Sequence, residues 1–349
     1  MRSELLLGFV VAGTILFSIL LTVVFSAIAV AVRARNRRRA RHLSKREDQW
    51  EPAVLEVLDG ARTPASVRSL VRERDGLLFV EYVSRFARRV RGKERDLLAE
   101  LAAPWLPRLA QRLTYRDEAT RARAVQTISL LGLGGYAGRL VRALDDRSQL
   151  VAMAAARALA SRERTEFAPQ VLRRLPRFAR WRPSFVSAML TEMGPGAVPD
   201  LLAAFADPGQ PAEARAIVAD ALNALHVLEA ADIAAELLGP QRNRDLVAAA
   251  LRLLRDLGRP EHVAAVRTLL RSPDDMVRTA AIAAFGALAS PAELELLVPA
   301  LDDPSHWAAL EAARALRSFR NGAALHALAL RGGDHPHATI AAEVLAESA

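Results

Sequence analysis

The 349-residue chain has no cysteine. That excludes disulfides, iron–sulfur ligation, thiolate zinc sites and a cysteine nucleophile. Aromatic residues make up only 5% of it, while alanine, leucine and arginine abound. Those three lose little in a helix, so the composition favours helix over strand. Catalytic motifs are missing too: there is no HExxH, no Walker loop and no GxGxxG placed after a strand. Two further absences shape the N-terminus. Leu5 to Val32 carries no charge, and 33–46 carries no acid.

The uncharged run "LLLGFVVAGTILFSILLTVVFSAIAVAV" holds 28 residues, roughly 42 Å as a helix. A hydrocarbon core of about 30 Å needs about 20 helical residues, so 1–32 is expected to be a transmembrane helix. Ala29-Val30-Ala31 offers the small residues of a signal-peptidase site. The run is nevertheless too long for a secretory leader, and no basic excess precedes it. Arg33, Arg35, Arg37, Arg38, Arg39, Arg41, Lys45 and Arg46 follow at once, in a basic juxtamembrane linker spanning 33–49. The positive-inside rule then puts the N-terminus outside and the rest of the chain in the cytoplasm. These eight side chains hold the topology and meet anionic lipid.

The net charge of +9 describes no single region. Residues 33–46 carry +8, residues 47–180 another +8, and residues 181–349, with 14 basic and 21 acidic side chains, −7.

The remainder repeats. "LLRSPDDMVRTAAIAAFGAL" (269–288) superposes on "ALDDPSHWAALEAARALRSF" (300–319) with a shift of 31, and "ALDDRSQLVAMAAARALA" (143–160) is a third copy. Leu113, Leu144, Leu175, Phe205, Leu238, Leu270 and Leu301 mark the ends of successive first helices, in steps of 30 to 33, and Leu330 begins a truncated last unit. Such a period means an array of stacked units. In 290–319, Ser290-Pro291-Ala292-Glu293 fits a capping box, and Leu294, Leu297, Val298 and Leu301 form a helical stripe. Asp302-Asp303-Pro304 ends this helix and caps the next, and the pairs Asp145-Asp146 and Asp274-Asp275 are expected to cap likewise. Val277, Ala281, Ala284 and Leu288 form the inner face of a second helix. Alanine there lets neighbouring helices approach closely.

The expected fold is all-α: an α-solenoid of helical hairpins over 100–349, a helical N-terminal cap over 50–99, and one transmembrane helix before them. "SPDDMVRTAAIAAFGAL", "DDPSHWAALEAARALRSF" and "DEATRARAVQTISLLG" (117–132) resemble HEAT repeats, particularly the short bacterial form also found in phycobilisome-lyase-like proteins. The usual Asp and Val-Arg stand at Asp275, Val277 and Arg278, with Ala122-Arg123 as a variant, and Ala308-Ala309 lacks the arginine. The resemblance implies a scaffold that binds a protein partner along a concave face rather than an enzyme. It also implies an association with membrane glycosyltransferase systems. Bilin-lyase-like activity and nucleic-acid binding are the alternatives it brings. The first has no cysteine or clustered ligands behind it. The second is disfavoured because the basic excess lies near the membrane.

One surface stands out. "RRLPRFARWRPSF" (173–185) sets Arg173, Arg174, Arg177, Arg180 and Arg182 around Phe178 and Trp181, the residue types of binding hot spots. A divergent repeat with Trp and Phe in its core reads the same. "GLGGYAG" (132–138) is expected to be a turn. His335 and His337 with Asp334 and His326 could hold a metal weakly, but two-residue spacing on a Gly-Gly loop fixes no geometry. No metal, cofactor or catalytic set is therefore assigned.

Overall fold

The computed structural model describes residues 21–27, 30, 46–161, 164–178, 181–239, 243–317, 322–330 and 338–346. Among them the chain is helical throughout, with no strand. No described helix is long and apolar enough to cross a membrane. Most of the expected span, Leu5 to Val32, lies outside the described residues. Its described part, 21–27, is helical and leaves Leu21, Val23, Val24 and Phe25 exposed.

The chain divides into two compact units, residues 1–114 with 127–134 and residues 115–126 with 135–349. The first unit is built on aromatic side chains. Helices 46–58 and Gly76–Ala87 bring Trp50 edge-on to Phe79 at 5.2 Å, and Phe79 in turn meets Trp105 at 5.5 Å. Tyr82 packs on both Trp50 and Phe86. Its hydroxyl is buried without a partner, and burial, reinforced by Glu51 and Glu47, pushes it up to about 12. Gly76 opens its helix against the Trp105 indole, where a Cβ would lie 2.1 Å from the ring. Because Trp105 belongs to this cluster, the first unit runs past the boundary expected at residue 99.

The second unit is a succession of helical hairpins. Second helices Pro183–Thr191, Ala212–Ala224, Arg244–Leu257, Asp275–Leu288, His306–Leu316 and Ala338–Ala346 each pack on the next. Ala281, Ala284, Ala312 and Ala313 are fully buried, as are Phe285 and Leu316 at equivalent positions. Gly286 shows how close the helices come: a Cβ there would sit 2.4 Å from that of Ala315.

The first helices depart from the expected regular α form. Several are one or two turns of α-helix preceded by a 3₁₀ turn, as in Pro260–His262 before Val263–Arg267. Glu293–Asp302 is 3₁₀ throughout. Pro299 inside it has no N–H to donate to a carbonyl four residues back. Leu294, Leu297 and Leu301 still point inward, and Glu293 accepts from both the N–H and the hydroxyl of Ser290. Tighter winding also shifts two expected anchors by one residue. Leu237 and Leu269 are buried, while Leu238 and Leu270 are only half-buried. Their N–H groups bond three residues back, so each residue turns about 120° rather than 100°. Leu330 ends, rather than begins, a hairpin half; it follows helix Ala323–Ala329 and is 87% exposed. "GLGGYAG" is also no turn, since Leu133–Ala143 is helical.

Arginine forks fasten neighbouring hairpins. Arg278, four residues after the cap Asp274, donates Nε and Nη2 to the two carboxylate oxygens of Asp303 in the next unit, at 2.7 and 2.9 Å. Its Nη1 donates to the Ser272 carbonyl in the turn before its own helix. Arg121, four residues after Asp117, repeats this with Asp146 at 2.9 and 2.8 Å and with the Tyr115 and Arg116 carbonyls. Arg121, not Arg123, is thus the counterpart of Arg278. Arg215 at the same position donates to Phe205 and Ala206 carbonyls. The forks revise the reading of the acid pairs. Asp274 caps its helix through Met276 and Val277 N–H. Asp146 and Asp303 accept a turn N–H but also hold an arginine, and Asp145 pairs with Arg174.

Burial pushes the Asp146 carboxyl up, but the Arg121 fork and the Ser148 N–H outweigh it and hold the group below its ordinary value. A depressed carboxyl stabilises the fold above its unfolded value, about 4, and loses that contribution as pH falls through the lower folded value. Arg121→Ala and Asp146→Ala are each expected to destabilise the second unit by about 3 kcal/mol, since either leaves a buried charge unpaired. The double variant should lose at least about 1 kcal/mol less than the sum, and Asp146→Ala should flatten the acid limb of a stability–pH curve. Additive losses in denaturant titrations would contradict a coupled pair.

Candidate functional site

Three of the second helices place a large apolar side chain outward at their second position. The second residue of each helix lies in the first turn, where the inner face has not yet begun. In Gln149–Leu159, Asp275–Leu288 and His306–Leu316 that residue is Leu150, Met276 and Trp307, exposed by 46, 42 and 66%. Met276 and Trp307 edge a groove of about 500 Å³ whose lining includes Ala248, Ala280 and Ala283. Alanine at these positions makes the depression, because the flanking helices carry longer side chains over it.

The groove's rim is charged but internally compensated. Arg252 meets Asp220 at 2.9 Å, Arg255 meets Asp256 at 2.8 Å, Asp275 meets Arg278 at 2.7 Å and Glu311 meets Arg314 at 3.1 Å. The hydrogen bond from Arg255 holds the Asp256 carboxyl low. These pairs fix the rim's side chains and leave an apolar floor with one large aromatic beside it. An apolar floor beside a tryptophan is the chemistry of a hot spot for an apolar segment. The groove's hydroxyls, Thr279 and Ser305, have no histidine beside them among the lining residues. Among the described residues no three His, Asp or Glu side chains converge as metal ligands.

The arginine-rich stretch expected from the sequence is divided. Arg174 forks onto Asp145, and Arg177 donates to the Asp146 carbonyl at 2.6 Å, so both brace the preceding hairpin. Phe178 is fully buried in the core. Arg173 and Arg182 are exposed. Trp181 is half-buried and stacks on Phe185 at 5.7 Å, with Arg157 over the Phe185 ring. Arg180 lies outside the described residues. So do Arg33, Arg35, Arg37, Arg38, Arg39, Arg41 and Lys45. Arg46 is described and is engaged in the first unit, 3.4 Å from the buried Asp75 carboxylate and bonded to Gln49. Asp334, His335 and His337 are outside the described residues as well, while His326 bonds the Gly322 carbonyl.

The groove itself was not singled out from the sequence. Its signal was present: a tryptophan at the second position of an otherwise alanine-rich helix, "SHWAALEAARAL", where burial is not available.

Residues 233–317, which include three of the groove-bearing helices, match the family described as HEAT repeats, and this part of the chain is similar to a HEAT-repeat array. No curated protein matches the sequence. Among solved structures, Kap121p bound to Ste12p is 13% identical, with 78% of this chain and 37% of that chain covered at a TM-score of 0.48. Kap121p bound to Pho4p is 14% identical with the same coverage and score. An engineered protein is 20% identical over 62% of this chain and 96% of its own, at a TM-score of 0.33. The chain spans under two fifths of the Kap121p chains it matches.

Of the four tryptophans, Trp50 and Trp105 are buried, Trp181 is half-buried and Trp307 is open. Trp307→Phe should therefore remove most acrylamide-quenchable emission while changing stability by less than about 0.5 kcal/mol. Unchanged quenching would show the indole to be covered.

Proposed function

We propose that the chain is a membrane-anchored adaptor whose HEAT-like array docks a protein partner in the cytoplasm through the Trp307 groove. The observation that carries the docking is the groove: an open indole and Met276 beside an alanine floor, with the surrounding charges already paired. The anchor is supported by 28 uncharged residues followed by eight basic ones, and by the apolar side chains that 21–27 leaves uncovered. A buried helix in a soluble protein would pack such residues away. A scaffold role agrees with the lack of any catalytic motif. The partner class implied by the resemblance is a membrane-associated enzyme complex such as a glycosyltransferase.

The absence of native cysteine makes one experiment decisive. Ser305, on the groove, has no side-chain capping bond, so Ser305→Cys should fold normally. In intact cells this thiol should resist a membrane-impermeant maleimide and react after lysis. A photoactivatable maleimide on it should crosslink a second protein in native membranes, and Trp307→Ala should reduce the yield about tenfold or more. Labelling in intact cells would reverse the orientation, and recovery of self-complexes alone would contradict the adaptor.

A further inference from the structure

The first unit contains a turn whose charges nothing answers. Between helices Gly76–Ala87 and Lys93–Ala102 the chain reads Arg88-Arg89-Val90-Arg91-Gly92-Lys93. All four cations are exposed. Among the described residues none of them has an ion pair or a side-chain hydrogen bond. Arg72, Arg74 and Arg112 of the same unit are likewise unpaired among the described residues, but Arg72 and Arg74 alternate with Glu73 and Asp75, and the unit's remaining described arginines are engaged. Arg62, Arg68, Arg85 and Arg108 pair with Glu56, Glu100, Glu47 and Glu73, and Arg95 donates to the Leu130 and Ser129 carbonyls.

The local backbone enforces the cluster. Arg89 N–H bonds the Phe86 carbonyl, Val90 is half-buried, and Gly92 takes φ +60° so that the chain reverses tightly. Four like charges are thereby held within at most about 20 Å of chain. Glu94 and Asp96 follow on the first turn of the next helix and offset only half of them. Mutual repulsion is a cost the fold itself does not need, and it is relieved by a surface of anions.

We propose that the Arg88–Lys93 turn is a second contact with an anionic lipid leaflet, separate from the basic linker at 33–46. Its ligands are lipid phosphates. The inference rests on the anchored reading, which keeps the first unit close to a bilayer. A membrane fits better than a nucleic acid, because the turn has no exposed aromatic on which a base could stack: Phe86 is half-buried and edge-packed on Tyr82. Each arginine or lysine near such a surface strengthens binding about fivefold, and salt weakens it.

The test uses the full chain in nanodiscs of phosphatidylcholine, with and without phosphatidylglycerol, and reads tryptic cleavage in the turn. Phosphatidylglycerol should slow cleavage at least about fivefold, and high salt should restore it. Arg88→Gln/Arg89→Gln should weaken the protection of Arg91 and Lys93. Inorganic phosphate with neutral discs should protect nothing; protection by it would reassign the turn to a free anion and overturn the lipid contact. Equal cleavage in both lipids, or protection by a DNA duplex instead, would also overturn it. A chain that fails to enter either disc contradicts the anchor. The turn is then read with discs added in trans, where protection by the anionic disc supports the contact and its absence overturns it.

Discussion

A stack of short helices needs something besides apolar contact to set the register of each hairpin on the next, and at two junctions, Arg121–Asp146 and Arg278–Asp303, an arginine fork supplies it. One guanidinium reaches a carboxylate in the following unit with two nitrogens and a backbone carbonyl of its own unit with a third. Planar, five-donor geometry allows that simultaneous grip, and a lysine could not reproduce it. The carbonyls involved lie in the turns after the first helices, where intrahelical donors have run out. The fork therefore satisfies turn backbone and couples neighbours in a single set of bonds.

With register set in the turns, the second helices can be poor in large side chains. Gly286 against Ala315, and the buried alanines at 281, 284, 312 and 313, bring the helices close. Other alanines, Ala248, Ala280 and Ala283, leave a depression rather than a ridge, and Trp307 stands beside it. The first unit works differently. Its core is a cluster of rings, Trp50, Phe79, Tyr82 and Trp105, and one turn on its surface holds four unpaired arginine and lysine charges together. The described residues thus present two surfaces of opposite character, one apolar and one cationic.

Much of this was legible in the sequence. The 31-residue shift, the cap at Asp274 and the alanine face made the second helices readable, because cap chemistry and helical period act locally. The first helices were harder to read. At the ends of two of them three-residue hydrogen bonding replaces the α pattern, which moves the inward position from Leu238 to Leu237 and from Leu270 to Leu269. Arg121 was passed over for Arg123 because a motif aligned on Val-Arg ignores the cap, whereas distance from the cap decides which arginine faces the next turn. In 173–185 composition could not separate bracing arginines from free ones. That distinction depends on Asp145 and on the Asp146 carbonyl, about thirty residues away.

If the fork couples neighbours, loosening one should be felt on both sides of it and not far beyond. Hydrogen exchange of the full chain carrying Arg278→Met is the most direct measurement. Protection should fall together in helices Asp275–Leu288 and His306–Leu316 and stay at wild-type levels in Gln149–Leu159. Loss confined to Asp275–Leu288 alone, or spread evenly through the second unit, would contradict the account.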